Sequence, residues 1–258
     1  MIEAPKSQYA QIAEALRARI ADGTYRPGSE LPSEPRLADE FGVSRVTINK
    51  AITLLRASGD VKVRRGASTT VRSLPRIPRD AKRRYAARSQ GTGAGEVEVR
   101  TLGLESKTEY REIGRVSAPA AVAEILKLRK NDDALVRRRV LYANGEPTQI
   151  ADSYFPWSVA KGSDALMHAD AGKGGSYSRL AELGHAPVRF TEDVTVRVPT
   201  DAEQRTLSLE ATQPVFEIWH VAYTAADRPI EVCIHVMAGH LWTLRYDWDD
   251  VAAGEAPA

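Results

Sequence analysis

Arg45 and Asn49 stand one helical turn apart in "GVSRVTINKAI", the run from Gly42 to Ile52. A guanidinium offers a fork of donors that suits the O6/N7 edge of guanine, and a carboxamide offers the donor and acceptor that suit the N6/N7 edge of adenine. On one stripe of one helix they make a surface able to read base edges. A second set lies in "DALVRRRVLYANGEPTQIADSYFP", where Arg137 and Arg139 alternate along an extended run and share a face, giving two fixed cations side by side.

The elements around Arg45 are easily placed. "SQYAQIAEALRARIADG" spaces Tyr9, Ile12, Ala13, Leu16 and Ile20 by threes and fours, which predicts an amphipathic helix from Ser7 to Gly23. "TYRPGSELP" is turn chemistry, and Ser33 can cap a second helix, "EPRLADEFG", with Pro35 tolerated in its first turn. Gly42 closes that helix and Ser44 caps a third, in which Ile48, Ala51, Ile52 and Leu55 face the core. Arg45, Val46, Asn49, Lys50, Thr53 and Arg56 are left outside. "VKVRRGASTTVRS" then reads as two short strands joined at Gly66, with Val61, Val63 and Val71 inward and Lys62, Arg64, Arg65 and Arg72 open to solvent. Helix, tight turn, helix and basic hairpin together fit the groove of duplex DNA; a three-helix domain with an ordinary charged surface is the alternative.

Charge supports the division of the chain. Residues 1–90 hold 18 Lys+Arg against 9 Asp+Glu, and residues 91–258 hold 18 against 25, so a net charge of +2 conceals a basic front and an acidic back. With 43% hydrophobic residues and 258 positions the chain can fill two domains. No apolar run reaches a membrane span and no signal peptide precedes it, so a cytoplasmic location is expected. Cys233, the one cysteine, falls in "IEVCIHV" and reads as a buried strand residue.

Between the halves, "SLPRIPRDAKRRYAARSQGTGAGEVEV" reads as a basic linker over residues 74–94, either a solvated connector or a segment lying along phosphates. The back half, residues 95–250, alternates strands and helices: "EVEVRTLG" and "TEYREIGRVSA" as strands, "PAAVAEILKL" as a helix, and a hairpin turning at Asn144-Gly145. A helix in "GGSYSRLAELGH", a strand in "VRFTEDVTVRVP", a helix capped by Thr200 and a long second hairpin follow, making an antiparallel α+β domain before a tail over residues 251–258. If the first hairpin closes on its two-residue turn, Leu141 faces Thr148, Arg139 faces Ile150 and Arg137 faces Asp152. That set is either a binding face or an exposed one carrying a simple cross-strand ion pair; a one-residue slip turns it over.

The stretch from Tyr9 to Val71 resembles the winged helix-turn-helix of the GntR family of bacterial transcription regulators. "RVLYANGEP", "PTDAEQRTLSLEATQPV" and "RPIEV" resemble the UTRA effector domain of its HutC subfamily, which has a chorismate-lyase-like fold. The family's DNA contacts map to Pro35, Arg45, Asn49 and Gly66. Pro35 cannot donate where relatives have arginine, which passes the role to Arg36, and Asn49 replaces a longer charged residue. The implied DNA-facing set is Arg36, Ser44, Arg45, Val46, Thr47, Asn49, Arg64, Arg65 and Gly66.

In sugar-phosphate-sensing relatives two alternating arginines hold the phosphate; here Arg139 stands at the first position and Leu141 at the second, with Ala151 and Val232 replacing a glutamate and an aromatic. The resemblance thus implies an anionic but more apolar effector, such as a carboxylate-bearing metabolite, met by Arg137, Arg139, Asp152, Tyr177 and Glu231. It also implies a homodimer on a double-stranded operator of two half-sites, with no cofactor or metal and no membrane. An enzyme of chorismate-lyase-like fold, or a plasmid or nucleoid maintenance protein, is the alternative. Against catalysis, the five histidines are scattered and no nucleophile, P-loop or paired-carboxylate motif occurs.

Overall fold

The computed structural model describes residues 6–63, 68–80 and 94–248. Three helices, α1 (Gln8–Ala21), α2 (Glu34–Phe41) and α3 (Arg45–Ala57), pack around Leu16, Leu37, Ile48, Ala51 and Leu55. Gly42 ends α2 at φ 64°, in the left-handed region where a side chain is disfavoured. Two short antiparallel strands follow, β1 (Val61–Val63) and β2 (Thr69–Val71), with Val61 and Val71 buried against the helices.

The expected linker begins differently. Residues 77–80 form a strand, β3 (Ile77–Asp80), that pairs in parallel with the last strand, β10 (Trp242–Arg245), and Leu74, Ile77 and Arg79 are buried. The two prolines suggested a connector, but the alternation of Ile77 and Arg79 inward is that of a strand. The cluster of bases beyond it, residues 81–93, lies outside the described residues, as does the expected tail. "EVEVR" is a second correction: it belongs to a helix, α4 (Ala94–Arg100), in which Glu96 and Arg100 pair one turn apart and Val99 is buried.

The remaining chain builds a six-stranded antiparallel sheet in the order β4-β5-β6-β9-β8-β7. Its strands are β4 (Ser106–Val116), β5 (Ala134–Ala143), β6 (Glu146–Pro156), β7 (Arg189–Arg197), β8 (Val215–Tyr223) and β9 (Pro229–Ala238). One face is covered by α5 (Ala120–Ile125), through Val122 and Leu126 against Val136, Tyr154 and Val232. The other is partly covered by α6 (Trp157–Ala160), a 3-10 turn at Asp164–Met167 and α7 (Gly175–Glu182). Helix α8 (Asp201–Leu207) opens with a full capping box, Thr200 with Glu203, as its sequence announces.

Asn144-Gly145 does turn the β5–β6 hairpin, but the pairing beyond it is displaced. Tyr142 faces Pro147, then Leu141 faces Gln149, so Thr148 is an extra residue and a bulge. Arg139 therefore pairs with Ala151, Arg138 with Asp152 and Arg137 with Ser153. The expected pairs of Arg137 with Asp152, Arg139 with Ile150 and Leu141 with Thr148 are wrong by one residue, which sends Asp152 to the opposite face. Thr148 makes the bulge locally cheap, since its hydroxyl donates to the Leu141 carbonyl at 3.2 Å and its own carbonyl accepts from the Trp242 indole at 3.0 Å.

The two domains meet on the side of α3 away from Arg45. Arg56 pairs with Glu210, the Gln213 amide donates to the Arg56 carbonyl at 2.7 Å, Lys62 pairs with Glu146, and Arg72 donates to the His240 carbonyl at 2.5 Å. Arg72, expected in solvent, is thus half-buried at the junction. Gly59 is required twice over: its φ is 73°, and a β-carbon there would come within 2.5 Å of the His240 side chain. Burial first, and then Arg72, Lys62 and Arg76, hold the His240 imidazole down to about 4, and its Nδ1 has no hydrogen-bond partner. Because the unfolded chain takes up this proton near pH 6.5 and the folded one only near 4, the contribution of neutral His240 is complete above pH 6.5 and lost as pH falls toward 4. Chemical denaturation should show the parent losing at most about 3 kcal/mol from this source across that window, and His240→Leu should flatten that part of the profile. Superimposable pH profiles for the two proteins would contradict it.

Candidate nucleic-acid interface and ligand-facing sheet

The start of α3 is fixed by its own residues. Ser44 Oγ accepts from the Thr47 backbone N–H at 3.2 Å and lies 2.9 Å from Thr47 Oγ1, so both hydroxyls serve the cap. Those two expected contacts are therefore first of all structural. Arg36, Arg45, Val46, Asn49 and Lys50 are exposed, Val46 at 65%. An exposed valine amid charged and amide side chains is an apolar tip suited to a thymine methyl. Arg64, Arg65 and Gly66 lie outside the described residues.

One participant escaped the sequence. The Asn49 amide donates to Glu34 Oε1 at 3.2 Å, across the turn from the first residue of α2. A bidentate contact to adenine uses the amide oxygen and one N–H, and Glu34 occupies the other, fixing which edge of the amide points outward. No local pattern links residues 34 and 49; only the crossing of α2 and α3 does.

On the sheet, the displaced register collects polar residues on one face. Gln149, Ser153, His220, Glu231 and His235 are each no more than 5% exposed. The Gln149 amide donates to His235 Nδ1 at 2.7 Å, leaving Gln149 Oε1 buried without a partner. His220 stands between Glu192, 3.1 Å from its Nδ1, and the Tyr177 hydroxyl, 2.9 Å from its Nε2, and its ring stacks on Phe190. A carboxylate at Nδ1 fixes the proton there, so Nε2 accepts from Tyr177. Glu192 is in turn paired with Arg79 from β3.

Arg137 and Arg139 have different fates. Arg137 is 1% exposed, lies over the Tyr110 ring and donates to the carbonyls of Leu166, His168 and Ala169, the last two at 2.6 and 3.0 Å. These bonds make it a brace for the covering turn. Arg139, half-buried, donates to the Arg137 carbonyl at 3.2 Å and to Ser153 Oγ at 3.0 Å, with Cys233 Sγ 3.9 Å away, and has no carboxylate partner among the described residues. Asp152, on the opposite face, sits 3.2 Å from Arg138, and burial, set against that arginine, raises its pKa. The same slip that removed Ile150 from this face brought Gln149 and Ser153 onto it, beside the buried Leu141, Ala151 and Cys233. Among the described residues no cluster of three or more His, Cys, Asp or Glu could hold a metal, and no helix is long and apolar enough to cross a membrane.

Comparison with known proteins agrees with both halves. Residues 8–71 match the model of the gntR family of bacterial regulatory proteins, and residues 101–241 match the UTRA domain. The HTH-type transcriptional regulator SCO4628 of Streptomyces coelicolor is 28% identical, covering 95% of this chain and 94% of its own. The "Probable fructoselysine utilization operon transcriptional repressor" of Shigella flexneri is 28% identical, covering 87% of each. In fold, the crystal structure of PhnF from Mycobacterium smegmatis superimposes with a TM-score of 0.59 at 23% identity, covering 92% of this chain and 99% of that one. An exposed, capped recognition helix on a winged domain, joined to an antiparallel sheet with a polar face and matched by family along both parts, makes this chain a transcriptional regulator of the GntR family with a UTRA domain, and not an enzyme.

Proposed function

We propose that the chain is a ligand-responsive repressor, acting in the cytoplasm without a cofactor, that binds a double-stranded operator as a homodimer and leaves it when a small metabolite with an anionic group occupies the sheet. The observation that carries the DNA reading is the state of α3: its N-terminal half is exposed while its C-terminal end is held by Glu210 and Gln213. A helix anchored behind and bare in front is ready for a major groove. One such helix covers few base pairs, so specificity across a genome calls for two related half-sites and hence two protomers. On the sheet, Arg139, Tyr177 and Glu231 are the proposed ligand contacts; Arg137 and Asp152 take no part. The ligand loosens DNA only as far as it binds the DNA-incompetent arrangement of the dimer more tightly.

Against duplexes enriched by the parent from a random pool, Arg45→Ala should lose on the order of 1–3 kcal/mol per half-site, with discrimination flattened at one guanine. Fluorescence anisotropy showing parental affinity for Arg45→Ala would remove α3 from the interface. Glu34 and Asn49 separate differently in binding-site selection. Asn49→Ala should abolish the preference for adenine at one symmetric position, and Glu34→Ala should relax it there while leaving other positions unchanged. Selection profiles in which Glu34→Ala matches the parent would mean that the amide needs no brace.

A further inference from the structure

The junction between the two domains surrounds a cavity of about 380 Å³, within the size range in which small molecules are held. Val61 of the winged domain and Pro147, Leu207 and Leu241 of the UTRA domain give it an apolar wall. Its polar wall is made by two ion pairs that cross the junction, Arg56 with Glu210 and Lys62 with Glu146, and by the His240 ring. That ring is unanswered: Nδ1 is buried without a partner, and Nε2 makes no hydrogen bond among the described residues. Charge around it is out of balance as well. Glu146 and Glu210 are each matched by a cation of the wall, and Asp60 is taken by Arg17 at 2.9 Å. Arg72 donates to the His240 carbonyl, and neither it nor Arg76 has an ion pair among the described residues. Burial above all, and then Arg72, Lys62 and Arg76, keep the imidazole neutral, so it presents one N–H as a donor in a surplus of positive charge.

We propose that this cavity is a ligand site separate from the sheet face, and that it takes a small carboxylate with an apolar body. The carboxylate accepts from Nε2–H of His240 and draws on Lys62 and the two arginines that have no carboxylate of their own. The body lies on Val61, Leu207 and Leu241. A bare inorganic anion would leave the apolar wall wet, and a neutral apolar molecule would leave the ring and the surplus cations without a partner. The ring's one proton then sits on Nε2, so the enclosed Nδ1 has none to place. Because the wall is drawn from both domains, an occupant holds them in the arrangement seen here. DNA affinity therefore changes with occupancy, and DNA changes the occupant's affinity by the same factor. None of this depends on what the sheet face binds.

The test uses the full chain, titration calorimetry at neutral pH, and three probes: benzoate, benzamide and acetate. Benzamide keeps the ring of benzoate without its charge, and acetate keeps the charge without the ring. The parent should bind benzoate at least about tenfold more tightly than either. His240→Leu and Lys62→Gln should each weaken benzoate about tenfold, toward the level of benzamide. Lys62 is exposed, so Lys62→Gln folds as the parent does and keeps the test decisive where His240→Leu fails to fold. Benzoate binding no better than acetate would show that no apolar wall is used, and no better than benzamide that no charge is; either overturns the proposal. So does an absence of benzoate binding, or benzoate binding that survives both substitutions. Binding that is lost with Arg139→Ala and kept with His240→Leu would seat the probe on the sheet and overturn the junction site. Coupling is scored by anisotropy on the enriched duplex at matched ionic strength, where saturating benzoate should change parental DNA affinity about fivefold or more. Unchanged DNA affinity with benzoate bound would overturn the coupling.

Discussion

A single extra residue, Thr148, sets the character of the second domain. Side chains alternate across a strand, so the bulge between Leu141 and Tyr142 decides which half of β5 and β6 faces the covering helices. With it, Arg137, Arg139, Gln149 and Ser153 share the face that His220, Glu231 and His235 complete. Without it, Ile150 and Asp152 would take the place of Gln149 and Ser153, and Arg138 would lose Asp152 while keeping Glu112 of β4. The bulge is held by buried bonds, from Thr148 Oγ1 to Leu141 and from the Trp242 indole to the Thr148 carbonyl. Trp242 belongs to β10, which pairs with β3, so the segment that leaves the winged domain also helps lock the register of the polar face.

The same hairpin joins the two domains. Its middle carries Arg139, and its tip carries Glu146, which pairs with Lys62 on the wing. The loop after α8 adds Glu210 and Gln213 against the end of α3. These contacts leave the exposed N-terminal half of α3 untouched, so the UTRA domain holds the helix from behind. Exposed ion pairs of this kind are individually weak, worth about 0–1 kcal/mol each, and a junction made of several is suited to rearrangement. Polar closure at the junction and a tight apolar core within each domain place the softest connection where a regulator needs it.

Much of this is legible in the residues. Gly42, the Ser44 cap and the apolar spacing of Ile48, Ala51, Ile52 and Leu55 specify the turn and α3 by local rules, and the observed helix follows them. Thr200 and Glu203 announce α8 in the same way. Local rules fail where distant elements decide. The bulge at Thr148 depends on Trp242, the burial of Arg79 on Glu192, and the orientation of Asn49 on Glu34. His220 and His235, scattered in sequence, meet because β8 and β9 are neighbours, with ring centroids 6.3 Å apart. "EVEVR" alternates like a strand, yet a Glu96–Arg100 pair and the burial of Val99 favour a helix. In each case the missing information is a tertiary partner.

The proposed repression depends on α3 as a reading head used in pairs. Footprinting of the full chain on a duplex enriched from random sequence measures this directly. Two related, inverted half-sites should be protected, their centres about 10 base pairs or a multiple of that apart, with major-groove guanine N7 methylation interfering in each. Retention of random duplex without a discrete footprint, or a single protected half-site, would contradict it.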